Sequence, residues 1–160
     1  DEFDLVLRIT SSLKDSEIVA RKLAPVPRVL CASPNYLTTA PHVTNTGDLP
    51  HHKCLVYDRL LTPFLWELRE DGKIVNIIPN ALIRMNNSYL IKSALLAGAG
   101  IAFIPKLVVE AELALGEIVQ VTKATDANPM QLYLLRAASK HVPARVRTFT
   151  EFLVKAYQNN

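Results

Sequence analysis

Several residues in this chain have side chains that can do chemistry if their spacing allows it. There are two cysteines, Cys31 and Cys54, and neither sits in a CxxC pair. They are read as free, partly buried thiols, which fits a reducing compartment. His51 and His52 are adjacent. Neighbouring side chains on extended backbone point apart, and no further ligand beyond Cys54 stands at a convincing spacing. The pair reads as a solvated loop, and no metal site is expected. Glu67, Glu70 and Asp71 surround an Asp71-Gly72 turn and read as solvated. No GxSxG, HExxH or phosphate-loop pattern appears. No catalytic set can be assembled, so the chain is not read as an enzyme, and no cofactor is expected.

The remaining candidates stand at the ends of elements, where the chemistry is recognition. Arg8, Thr10 and Ser11 follow an apolar run, and ligands of open α/β sheets bind beyond the carboxyl ends of strands. The Arg8 guanidinium can hold a carboxylate through two parallel hydrogen bonds, or it can make an ordinary salt bridge. Ser33 and Asn35 open one helix, and Asn87 and Ser88 open another. Helix starts carry free amides and partial positive charge, which suits an anion. Simple capping is the alternative in both places. Met85 adds an apolar wall beside the second helix start. Ile104 and Pro105 end a short strand and are expected to offer their backbone to a ligand.

Some element must position each group. "FDLVLRI" at 3–9 is a dense apolar run and reads as a strand buried on both faces, as in a parallel sheet. Such a strand at a terminus lacks the preceding crossover. The chain also opens at Asp1, so it is read as part of a longer protein. Pro25 and Pro27 bias "APVPRVLCAS" toward extended backbone. Ser33 and Pro34 start a short helix. A strand is expected at Cys54 to Tyr57, and a hairpin from Phe64 to Ile78 turning at Asp71-Gly72. Ala81 to Met85 is a further strand. A helix capped near Asn86, Asn87 or Ser88 runs to about Ala97, and Gly98 ends it. Gly100 turns the chain into a strand at Ile101 to Ile104, and Pro105 starts the next helix, which stops at Gly116. "EIVQV" and "MQLYLLRA" are strands. The last helix, "VPARVRTFTEFLVKAYQ", is expected to bury Val146, Phe149, Phe152, Leu153 and Tyr157 as one stripe.

Composition agrees with a soluble globular chain of 160 residues, 49% hydrophobic and 21% charged. The formal net charge of +3 is too small to argue for nucleic acid binding by this segment. "SALLAGAGIAFIP" at 93–105 is too short and too broken to span a bilayer. No signal peptide is read.

The order of these motifs resembles the effector-sensing domain of LysR-type transcriptional regulators. The resemblance rests on "FDLVLRI", "VARKLAPVPRVLCASPNYL" at 19–37, "DLPHHKCLVY" at 48–57, and Trp66 with Leu68 and "DGK". It also rests on "NNSYLIKSALLAGAGIAFIP" at 86–105 and "HVPARVRTFTEFL" at 141–153. Each motif alone is weak, but the ordered set is specific. The resemblance implies an α/β fold like type 2 periplasmic binding proteins, with two lobes joined by two crossover strands. The first lobe, incomplete here, would hold residues 1–30 and 136–160, and the second 31–135. The crossing strands would lie near Arg28 to Ala32 and Leu132 to Leu135. A small-molecule effector, an organic anion, would sit between the lobes and touch Arg8, which is matched by position to an effector-contacting arginine of some family members. DNA would be met only through a missing N-terminal winged helix-turn-helix. The resemblance also implies a cytoplasmic homodimer or homotetramer with no membrane contact. A secreted solute-binding protein of the same fold is the alternative.

Overall fold

The computed structural model describes residues 3–13, 18–138 and 142–158. The chain forms two compact units, Asp1–Val26 with Pro129–Asn160, and Pro27–Asn128. Each passage between units thus enters a proline, whose ring fixes φ. The two strands expected to cross each pair within one unit. Arg28–Ala32 lies in a sheet of the second, and Met130–Ala137 in the sheet of the first.

The first unit holds strands β1 (Val6–Thr10) and β2 (Ile18–Val26). The unit's sheet has the order β1-β11-β2, with β11 (Met130–Ala137) pairing antiparallel to both neighbours. β1 is therefore not the doubly buried parallel strand expected from its composition. It is an edge strand whose Val6, Leu7 and Ile9 are all exposed. Apolar residues on both faces of an edge strand look the same in sequence as a buried strand. The last helix, α4 (Ala144–Gln158), packs on β2. Its inward line is Val146 and Val154, with Thr150 and Leu153 half-buried. Phe149, Phe152 and Tyr157, expected in the buried stripe, are exposed, and the two phenylalanine rings stack with centroids 6.4 Å apart. The helix carries two adjacent apolar lines, and packing selects the slimmer one.

The second unit is built on β3 (Arg28–Ala32), β4 (Cys54–Tyr57), β7 (Ala81–Met85), β8 (Ile101–Pro105) and β9 (Val119–Gln120). They form a five-stranded sheet in the order β7-β4-β8-β3-β9. β4 runs parallel to β7 and β8, while β3 is antiparallel to β8. Both faces are covered, which explains the unbroken apolar run of β8. Ile101 and Phe103 join one core with Trp66, Leu68 and Ile77 from the hairpin β5 (Trp66–Glu70) and β6 (Lys73–Ile77). Ala102 and Ile104 join the other with Ile91 and Leu95 of helix α2 (Ser88–Leu96). The hairpin turns at Asp71 and Gly72, both at positive φ, as an Asp-Gly turn requires.

Helix α1 (Pro34–Thr39) starts on Ser33 as expected. Pro105 does not start a helix. It closes β8, a 3-10 turn spans Lys106–Val108, and α3 (Glu110–Leu115) follows, ending at Gly116 with φ of 74°. Gly100 has a steric reason. A Cβ there would overlap the Lys53 carbonyl, which accepts a hydrogen bond from Ile101 N at 2.9 Å. A short strand, β10 (Thr125–Asp126), adds to β5. Among the described residues no helix is long and apolar enough to cross a membrane.

Candidate functional site

The direction of each strand decides which candidates can meet. β4, β7 and β8 run parallel, so their carboxyl ends share one end of the sheet, the near end. Met85 closes β7, Tyr57 closes β4, and Pro105 closes β8 opposite Arg28. Asp58 N donates to Met85 O at 2.9 Å, which ties two of these tips together. Asn87 caps α2 by accepting from Tyr89 N at 2.8 Å, and half-buried Ser88 is the first residue of that helix. Met85, Asn87, Ser88 and Pro105 thus gather at one rim. Ile104 lies beside it, but the whole residue, backbone included, is 1% exposed and its side chain belongs to the core, so the backbone contact expected of it has no open surface.

Ser33 and Asn35 lie at the opposite end. Ala32 pairs with Ile101 and Arg28 with Pro105, so β3 delivers its carboxyl end away from the rim. Ser33 is buried and accepts from Tyr36 N at 3.4 Å, while Asn35 is exposed. The structure does not bring these two residues to the rim. His52 lies at this far end and corrects the expectation of a solvated loop. His51 is exposed, but His52 is 1% exposed. Lys53 N donates to the Tyr36 hydroxyl at 3.1 Å, which in turn reaches His52 Nδ1 at 3.2 Å. The Tyr36 hydroxyl thus occupies Nδ1, while Nε2 meets no partner among the described residues. Burial pushes the His52 pKa down.

The cysteines are free and buried, on opposite faces of the sheet. Burial pushes Cys31 up to about 12 and Cys54 up to about 11, so neither thiol is poised to react near neutrality.

Beside the rim the sequence reading missed a buried ion pair. Arg28 Nε and Nη2 donate to Asp126 Oδ2 and Oδ1 at 2.9 and 2.8 Å, and Arg28 N donates to Oδ2 at 2.9 Å. Nη2 also reaches Asn128 O at 3.1 Å, and the guanidinium lies 4.1 Å from the Phe103 ring centroid. The partners are 98 residues apart, so no spacing rule pairs them. Arg28 opens the second unit's sheet and Asp126 nearly closes the unit. The pair therefore clamps the unit's entry to its exit.

In the first unit Arg8 is exposed on β1, opposite Tyr133. The Thr10 hydroxyl donates to Ser12 O at 2.8 Å, and Ser11 is exposed beside it.

Comparison with known proteins turns this geometry into a family assignment. The profile of the LysR substrate binding domain matches residues 1–158. The chain belongs to this family. It is an effector-binding domain of a LysR-type transcriptional regulator with the type 2 periplasmic-binding-protein-like fold. Among curated relatives it is 29% identical to the HTH-type transcriptional regulator PtxR of Pseudomonas aeruginosa, over 94% of this chain and 48% of that protein. It is 30% identical to the uncharacterized regulator YhjC of Escherichia coli, over 96% of this chain and 52% of that protein. The chain thus spans about half the length of the curated relatives it matches. Among solved structures, the regulatory domain of AphB from Vibrio vulnificus is similar with a TM-score of 0.78 and 29% identity, covering 97% of this chain and 76% of that one. The CrgA regulatory domain of Neisseria meningitidis shares the fold at a TM-score of 0.82 and 24% identity, over 96% of this chain and 75% of that one. These relatives are named as transcriptional regulators, not enzymes.

Proposed function

We propose that this domain senses a small carboxylate-bearing metabolite at the rim of its second unit, through Met85, Asn87, Ser88 and Pro105. The observation that carries the reading is the shared carboxyl end of β4, β7 and β8, the position where open α/β sheets take ligands. The N-terminus of α2 opens onto that rim with the positive end of its dipole, which favours an anion. Arg8, Thr10 and Ser11 are the first unit's candidate contacts, and the Arg8 guanidinium supplies a fork for a carboxylate. In the whole protein, binding shifts the balance between conformations of a cytoplasmic, DNA-bound homo-oligomer. The ligand does so only to the extent that it prefers one conformation. Exposed Leu82, Tyr89 and Leu90, on β7 and α2, support contact with a second copy.

The test is native mass spectrometry after incubation with a small-molecule cell extract. A retained metabolite is expected to be lost in Ser88→Trp, which fills the rim, and kept in Asn35→Trp at the far end. Retention in the first variant and loss in the second would contradict the assignment.

A further inference from the structure

The two chain passages between the units are pinned close on either side. In the first unit Val26 of β2 is the Cα partner of Met130 of β11. In the second unit Pro27 O accepts from Lys106 N at 2.9 Å, and Ala127 N donates to Glu67 O at 3.1 Å. One carboxylate then joins the passages. Asp126, its side chain 1% exposed, accepts from Arg28 N at 2.9 Å on Oδ2 and from Asn128 N at 3.1 Å on Oδ1. It thus holds a backbone amide of each passage. The Arg28 guanidinium fixes that carboxylate through both oxygens and ties back to Asn128 O.

Little backbone is left free to turn between the pinned ends. The rings fix φ of Pro27 and Pro129 at about −65°. Val26 and Asn128 each precede a proline, which biases them to extended backbone. The soft torsions that remain are the ψ angles of the two prolines.

We propose that Asp126 makes the two passages one hinge, so that they turn together about the ψ angles of Pro27 and Pro129 instead of flexing separately. Arg28 is its positioning residue, holding the carboxylate charged and aimed at both amides. A hinge of this kind passes on a ligand's preference for one conformation as a defined turn, where two independent linkers would lose it as play.

Residual dipolar couplings of the isotopically labelled chain test this, because they report the degree of alignment of each unit separately. In the parent the two units are expected to align to the same degree. Arg28→Met with Asp126→Leu fills the space without bonds to either passage. That double variant is expected to melt near the parent and yet to give unequal alignments, with the Asn128 amide order parameter falling from about 0.85 to below about 0.6. Arg28→Lys keeps a charge beside Asp126 but loses the fork that also reaches Asn128 O, and is expected to split the alignments by less. Lys92→Met with Glu112→Leu removes another ion pair of the second unit, between α2 and α3, and is expected to leave the alignments equal. Unequal alignment in the parent, or equal alignment in both Arg28 variants, overturns the hinge. A split as large in the Lys92 variant overturns it too, since any lost ion pair would then loosen the chain. If the couplings within the second unit no longer fit one body in the Arg28 variants, the pair is only a structural support and the hinge is rejected. If the double variant does not fold, Arg28→Lys decides by the same comparison.

Discussion

The two ends of the five-stranded sheet in the second unit handle polar groups in opposite ways. At the far end most polar groups are taken up by the protein, with His52 Nε2 the exception among the described residues. Ser33 caps α1, Tyr36 links Lys53 to His52, and Gly100 brings its backbone against the Lys53 carbonyl. Nearby, Asn45 and Asp48 close a capping box on the 3-10 turn Thr46–His51. At the near end, β3 is locked by the Arg28–Asp126 pair, but the tips of β4, β7 and α2 are not closed in this way. Ser88 stands at the start of a helix whose cap accepts from Tyr89 N, and among the described residues no donor reaches Asp58 Oδ1. A domain that must hold a ligand keeps its stability where groups satisfy one another and its recognition where they do not. The contrast predicts that far-end changes alter stability without altering binding, and that rim changes do the reverse.

The largest expected effect probes the exception, the locked part of the near end. Arg28→Met leaves Asp126 buried and uncompensated, and is expected to cost about 3–5 kcal/mol in urea unfolding. Adding Asp126→Leu is expected to recover most of that loss, because an apolar pair removes the stranded charge. If the single change costs nothing, the clamp is not holding the unit's entry and exit together.

Gly100→Ala attacks the far end through its backbone. The added methyl meets a carbonyl rather than a flexible side chain, so a loss of about 1–3 kcal/mol is expected from overpacking. Ligand affinity of the folded fraction should not change. A smaller step is Ser33→Ala, expected to lower stability by about 1 kcal/mol, as for loss of an N-cap. A change in ligand affinity in that variant would return Ser33 to the binding site.

The mildest effect is a pH dependence. The His52 pKa is lowered by burial, so below about pH 6.5, the ordinary histidine value, the unfolded chain binds the proton first. Stability is then full above that pH and falls as pH drops toward the lowered folded value. His52→Gln is expected to flatten this slope in thermal unfolding between pH 7 and 5. Asp48 contributes separately at more acid pH. Hydrogen bonds from the Thr44 hydroxyl and from the Thr44 and Asn45 amides hold it at about 2, so its stabilisation is lost only as pH falls from about 4 through that value.

Much of the second unit was legible because its punctuation is local. Gly98 and Gly100 lead into β8, Asn87 caps α2, and Asp71-Gly72 turns the hairpin where sequence rules place each feature, whereas Pro105 closes β8 instead of starting a helix. The site was less legible because the rule used to find it depends on strand direction, which sequence does not display. The carboxyl ends of β4, β7 and β8 share one rim. Ser33 and Asn35 were read from a helix start, and β3, which runs antiparallel to β8, delivers that start to the other end of the sheet. The same rule applied to Tyr57 would have picked out Asp58. In the first unit the described sheet is antiparallel throughout, so the rule has no force for Arg8, Thr10 and Ser11 there. Arg28–Asp126 stayed hidden because a pair formed across the whole unit leaves no periodic mark.

The most direct test of the account maps a bound metabolite by amide chemical shifts across the second unit. The account expects shifts at Tyr57, Asp58, Met85, Asn87, Ser88 and Lys106, with Ser33, Asn35, Tyr36 and Gly98 unmoved. Shifts concentrated on Ser33, Asn35 and Gly98, with the tips of β4, β7 and β8 silent, would contradict it.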